Sequence, residues 1–192
     1  IHAALALVNC SQIEIVSVGD DEKKTIETLK YAFEKSDIVL VTGGMSIGKY
    51  DFVGNVMVRL GVQNIFYKIA QKPGKPLLFG KRNTCLVFGL PGNPAAALSC
   101  FYEYVLTSIK IMQGRSDIFL MKKMMPISAH ISKKEGLSLF LKGKISENSA
   151  RILEGQESSN IGPFATSDCF IYLPAQKGDI LVGELVEVHF LP

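Results

Sequence analysis

Three glycine-bearing stretches hold the residue types best suited to chemistry: TGGMSIG at 42–48, QKPGKP at 71–76 and GLPGNP at 89–94. In the first, Gly43 and Gly44 let main-chain N–H groups come close to a ligand, and Ser46 adds a hydroxyl. A helix following such a loop turns its positive end toward the same place, which is chemistry for an anion. A plain tight turn would use the same residues. No G-K-[ST] follows at the spacing of a nucleotide P-loop. Lys68, Lys72 and Lys75 bring positive charge to the second stretch. In the third, Pro91 and Pro94 fix two φ angles around Gly92 and Asn93, giving a wall that holds a ligand without an ordering cost; a helix-starting turn with Pro94 in its first position reads equally well. Asp51 lies just beyond the glycine loop, and Asp20 and Asp21 end another apolar run. Carboxylates beside a phosphate cradle call for a cation between them, and oxygen ligands suit Mg²⁺. Helix capping is the alternative for Asp21 and for Asp51.

The elements that would position these residues follow from hydrophobic periodicity. Helical spacing predicts helices over 1–8, 22–35, 51–60 and 95–112. Short apolar runs predict strands over 13–18, 37–41 and 65–69, with a hairpin of 77–80 and 85–88 across 81–84. The bare apolar strands, without alternation, imply an α/β domain whose mostly parallel sheet is covered by helices on both faces. In an open sheet of this kind ligands bind beyond the carboxyl ends of the strands. The three loops should therefore meet at one rim. This domain is expected over 1–114, a linker over 115–125 with its clearest signature at 122–126, and a small all-β, barrel-like domain over 126–192. The last has short alternating runs at 138–145, 150–153, 169–173 and 185–190.

Composition narrows the class. Hydrophobic residues make up 47% of the 192 and charged residues 20%, which is globular and not disordered. Lys+Arg 21 against Asp+Glu 18 is too even for a dedicated nucleic-acid binder. No apolar run reaches the roughly 18 residues of a membrane span. The four cysteines, Cys10, Cys85, Cys100 and Cys169, are too dispersed for a zinc site or a disulfide framework and read as free thiols of the cytoplasm. The chain opens at Ile1, inside an apolar run without the marks of a signal peptide, as a segment of a longer protein would.

At its loops the chain resembles the MoeA family of molybdenum-cofactor biosynthesis, whose animal counterpart is the E domain of gephyrin. The resemblance rests on VGDDE at 18–22, VTGGMSIGKYDFV at 41–53, KIAQKPGKPLLFG at 68–80 and VFGLPGNPAAAL at 87–98, with EGQESSNIGPFATSDCFIYLP at 154–174 in the second domain. Other pterin-binding relatives share the glycine loop; KPGKP together with GLPGNP and a following β-domain is more specific.

The resemblance implies a molybdopterin molybdotransferase that uses adenylylated molybdopterin, molybdate and Mg²⁺, releases AMP, and works as a homodimer when full length. It implies catalytic roles for Asp20, Asp51, Pro91 and Pro94. Cofactor binding falls to Gly43, Gly44, Ser46, Gly48, Lys68, Lys72, Lys75 and Asn93, and metal binding to Asp20, Asp21 and Asp51. The alternatives are a gephyrin-like binding or scaffold protein and a CinA-like nucleotide-binding hydrolase. Two departures stand out. The family's long N-terminal region and the first strand of its pterin domain are not in this sequence. Leu137 follows Gly136 where an arginine is usual, and Lys142 takes the place of a second arginine.

Overall fold

The computed structural model describes residues 1–10, 12–44 and 52–192. In chain order its elements are α1 (His2–Leu7), α2 (Glu22–Lys35), β1 (Ile38–Thr42), α3 (Phe52–Arg59), β2 (Gln63–Tyr67), β3 (Gln71–Lys72), β4 (Leu78–Arg82) and β5 (Cys85–Leu90). There follow α4 (Pro94–Cys100), a π-helical turn (Phe101–Val105), α5 (Leu106–Met112), β6 (Lys122–Pro126), β7 (Ser138–Ser146) and β8 (Ser149–Ile152). A 3₁₀ turn (Gly162–Ala165), β9 (Cys169–Leu173) and β10 (Leu185–Phe190) complete the chain. No described helix is long and apolar enough to cross a membrane. The chain divides into two compact units, Ile1–Ile69 with Pro76–Gly92, and Ala70–Lys75 with Asn93–Pro192.

The first unit is built on a four-stranded sheet of order β1-β5-β4-β2. One of its three pairings, β1 with β5, is parallel, and the other two are antiparallel. The sheet is therefore mixed, which corrects the expectation of a mostly parallel one. The reason is local: two residues separate β4 from β5, and so short a connection can only make an antiparallel hairpin. Helices α2 and α3 place Leu29, Phe33, Val56 and Met57 in one core with Val39, Leu78 and Val87 of the strands. Leu40, Phe88, Phe79 and Phe66 stand in register across all four strands, with ring centroids 4.7 Å apart for Phe79–Phe88 and 5.6 Å for Phe66–Phe79. Because β2, β5 and β1 run in the same direction, Tyr67, Leu90 and Thr42 end at one rim of the sheet.

Residues 13–18, expected as a strand, form none. Ile15 is 70% and Val16 53% exposed, and no described strand pairs with them. β-branched residues favour strands because they fit a half-buried pleated surface, and here there is no neighbour to supply one.

The second unit carries a sheet of order β3-β7-β9-β10-β6, with β8 added to β7. It closes on itself. Ile127, the residue after β6, bridges Ala150 of β8, and Ser128 N–H donates to Ala150 O at 2.9 Å. Met125, Ile127, Ala150, Ile171, Leu173, Ile180, Val186 and Val188 share the interior core. Lys122–Pro126, linker-like in sequence, is thus a strand, because its ladder partner β10 lies some sixty residues further on. The helix expected over 95–112 runs from Pro94 to Met112 with the π turn in its middle. It packs on the barrel through a ring series: Tyr102–Phe164 at 6.4 Å, Phe164–Phe170 at 5.7 Å and Phe140–Phe170 at 6.3 Å.

Candidate functional site

In the first unit β1 runs into Gly43 and Gly44, whose φ angles are +81° and +67°. This is backbone that a side chain would strain, and a Cβ on Gly44 would also lie 2.6 Å from Val53 Cγ2 of α3. The start of the loop is thereby packed against the helix that follows it. The loop after β5 comes to the same place: a Cβ on Gly92 would lie 3.5 Å from Gly43 Cα. Pro91 is buried and Gly92 exposed. Lys68, just past β2, is exposed, with its ammonium 4.8 Å from the Tyr67 ring and its N–H donating to Leu77 O at 3.1 Å. Ser46, Gly48 and Asp51 lie outside the described residues.

Asp20 is exposed and follows the unpaired segment. Asp21 is the N-cap of α2, and its Oδ1 accepts from Lys24 N–H at 3.1 Å. That is the capping reading of this aspartate. Among the described residues no three potential metal ligands gather.

In the second unit the QKPGKP stretch separates its charged from its uncharged residues. Lys72 and Lys75 are exposed, whereas Gln71, Pro73 and Gly74 are buried. Two cations held outward by a buried backbone suit an anion. Asn93 precedes α4 with no side-chain cap bond to the helix, and Pro94 takes its first turn. Asn93 Nδ2 instead donates to Ser158 Oγ at 3.0 Å, and Ser158 O accepts from Ala96 N–H at 3.1 Å. Asn93 was expected to bind a ligand; its part in ordering Ser158 was not legible, since the two are far apart in sequence.

Lys142 is 2% exposed. Its Nζ donates to Gly155 O at 3.0 Å, Asn160 O at 3.3 Å and Glu157 O at 3.5 Å. All three ammonium hydrogens are therefore spent on one loop, and burial holds the pKa below the usual lysine value. Beside it Gln156 acts as a substitute strand, accepting from Lys142 N–H at 2.9 Å and donating to Lys142 O at 2.9 Å. Lys142 thus orders the loop carrying Ser158.

Residues 1–111 match the family model described as a probable molybdopterin binding domain, which covers more than half of the chain. The chain belongs to the molybdopterin-binding domain family. Residues 125–191 of this family member also match the MoeA C-terminal region (domain IV). Among curated proteins, the molybdopterin molybdenumtransferase of Haemophilus influenzae is 34% identical over 96% of this chain and 47% of its own length. That of Synechocystis is 31% identical over 90% of this chain and 43% of its own. The chain therefore spans less than half the length of these relatives. In fold it is similar to a molybdopterin biosynthesis MoeA protein of Pyrococcus horikoshii, with a TM-score of 0.75 at 24% identity over 99% of this chain and 45% of that one. A molybdenum cofactor biosynthesis protein of Pyrococcus furiosus gives 0.77 at 21% identity, covering 99% of this chain and 63% of the other.

Proposed function

We propose that the chain is part of a cytoplasmic molybdopterin molybdotransferase, which takes adenylylated molybdopterin and molybdate, releases AMP and leaves molybdenum on the dithiolene. The observation that carries this reading is the pair of outward lysines on an otherwise buried loop, in a chain that aligns with molybdopterin molybdenumtransferases over nearly its whole length. The glycine loop, with Gly43, Gly44, Ser46 and Gly48, receives the phosphate. Main-chain N–H groups do this without the desolvation that a charged side chain would suffer. Lys68, Lys72 and Lys75 offset the negative charge of phosphate or molybdate, while Pro91, Asn93 and Pro94 keep the neighbouring turn in one conformation.

Magnesium, on this reading, is held by Asp20, Asp21 and Asp51, whose oxygens suit a hard cation that keeps its waters. Asp21 gives one oxygen to its helix cap, which leaves its other oxygen for the cation on this reading. The full-length protein is a homodimer. An AMP-release assay with adenylylated molybdopterin and molybdate tests the activity: release that requires both substrates supports it, and release indifferent to molybdate contradicts it.

A further inference from the structure

The loop that displays Lys72 and Lys75 is held from beneath by a polar chain that begins on the helix. Tyr104 Oη donates to Gln71 Oε1, and Gln71 Nε2 donates to Pro73 O at 3.0 Å. Gln71 is 4% exposed, so both ends of its amide are used inside the protein. The same nitrogen lies 3.8 Å from Cys100 Sγ. Gly74, at φ +93°, has no room for a side chain: a Cβ would lie 2.4 Å from Cys100 Sγ and 2.8 Å from Gln71 Nε2. The loop rests on these two groups.

Tyr104 belongs to the π-helical turn, and so does Glu103. Such turns are uncommon and recur where a protein needs a side chain placed out of ordinary helical register. Here Glu103 is bound to His189 Nδ1 at 2.8 Å, which anchors the turn to the barrel, while Tyr104 reaches Gln71. Nothing in a stable helix requires a hydrogen bond between a half-buried tyrosine and a buried glutamine. An apolar pair of the same volume would fill the space without two desolvated polar groups.

We infer that Tyr104 and Gln71 are positioning residues, which fix the Pro73 carbonyl and thereby the direction in which Lys72 and Lys75 offer their charges to a tetrahedral oxyanion. This rests on the proposed molybdotransferase reading. The oxyanion is either the phosphate of the pterin substrate or molybdate, and neither Tyr104 nor Gln71 touches it. Without the polar chain the loop keeps its lysines but loses their spacing.

The test is steady-state AMP release by the full protein, with KM measured separately for adenylylated molybdopterin and for molybdate, in Lys72→Ala, Tyr104→Phe and the double variant Gln71→Met/Tyr104→Phe. The last removes both polar groups at nearly constant volume, and its melting temperature should stay near wild type. The expected result is a rise of about tenfold in one KM for Gln71→Met/Tyr104→Phe, with kcat changed less than twofold. Which KM rises says which oxyanion the loop meets. Adding Lys72→Ala to Tyr104→Phe should raise that KM less than the product of the single effects, because part of the Tyr104 effect runs through Lys72. A KM effect in Lys72→Ala with none in the double variant overturns the positioning role alone. No KM effect in Lys72→Ala overturns the role of the loop lysines, and the positioning role with it.

Discussion

Asn93 and Ser158 lie 65 residues apart and meet through a 3.0 Å hydrogen bond from the asparagine amide to the serine hydroxyl. The bond joins the turn before α4 to the 154–160 loop, which Lys142 and Gln156 hold against β7. Residues singled out for ligand binding are in this way attached to residues that only the fold brings near them.

Ser158→Ala should lower unfolding stability by about 1 kcal/mol or less, the usual worth of an exposed neutral hydrogen bond. The main-chain bond from Ala96 N–H to Ser158 O stays. Urea denaturation checks it through a small fall in midpoint at constant slope. A fall of several kcal/mol would show that the hydroxyl does more than hold Asn93.

Lys142→Met should cost far more. It removes the charged donor shared by the carbonyls of Gly155, Glu157 and Asn160, and a hydrogen bond to a charged group is worth roughly 1.5–3 kcal/mol. The melting temperature should fall by several degrees, and amide exchange across residues 154–160 should speed up before that of β9. If Lys142→Met melts like wild type and weakens molybdate binding instead, the lysine is an anion ligand and not a loop staple.

The stability of the second unit should fall as pH rises above neutrality. His189 is 3% exposed and lies between Glu103, 2.8 Å from Nδ1, and Glu187, 2.7 Å from Nε2. Burial alone would lower its pKa, but the bonds to Glu103 and Glu187 outweigh this and raise it, with Lys122 opposing weakly. A pKa raised by folding means that the imidazolium stabilises the fold below its unfolded value near 6.5, and that this is lost as pH rises through the folded value. Tyr172 stacks on the ring, with centroids 5.6 Å apart. Melting curves at pH 6 and pH 9 should differ in the wild type and differ less in His189→Gln. An equal difference in both would place the titrating group elsewhere.

Thiol chemistry separates the cysteines. Burial pushes the thiols of Cys100 and Cys169 up to about 12 and raises that of Cys85 as well. Cys10 is the one cysteine that is not buried. Iodoacetamide at pH 8 should label Cys10 first, as read by peptide mass, with the others following only on unfolding. Early labelling of Cys100 would contradict the packing beneath Gly74.

What could be read in the sequence was what local patterning encodes. Helix α2, the β4–β5 hairpin, β9 and β10 were expected within a residue or two, because their apolar spacing and turn residues lie within the segment itself. Elements that depend on a distant partner were not. Residues 122–126 look like a linker until β10 pairs with them, and residues 13–18 look like a strand but have no pairing neighbour among the described residues. The mixed sheet was half visible: the β4–β5 hairpin is encoded within its own segment, whereas the pairing of β2 with β4 depends on strand order, which no local pattern carries. For the site, types and spacing identified the loops. The supports under them, Tyr104 with Gln71, Ser158 with Asn93, and Lys142, come from contacts over 13 to 65 residues that no motif records.

The most direct test of the central claim is calorimetric titration of molybdopterin into the wild-type protein and into Lys72→Ala/Lys75→Ala, each at low and high salt. Both lysines are exposed, so the variant should melt like wild type. The account predicts at least tenfold weaker binding in the variant at low salt, and a wild-type affinity that falls with salt while the variant's falls less. Equal affinities in the two proteins at both salt concentrations would contradict it.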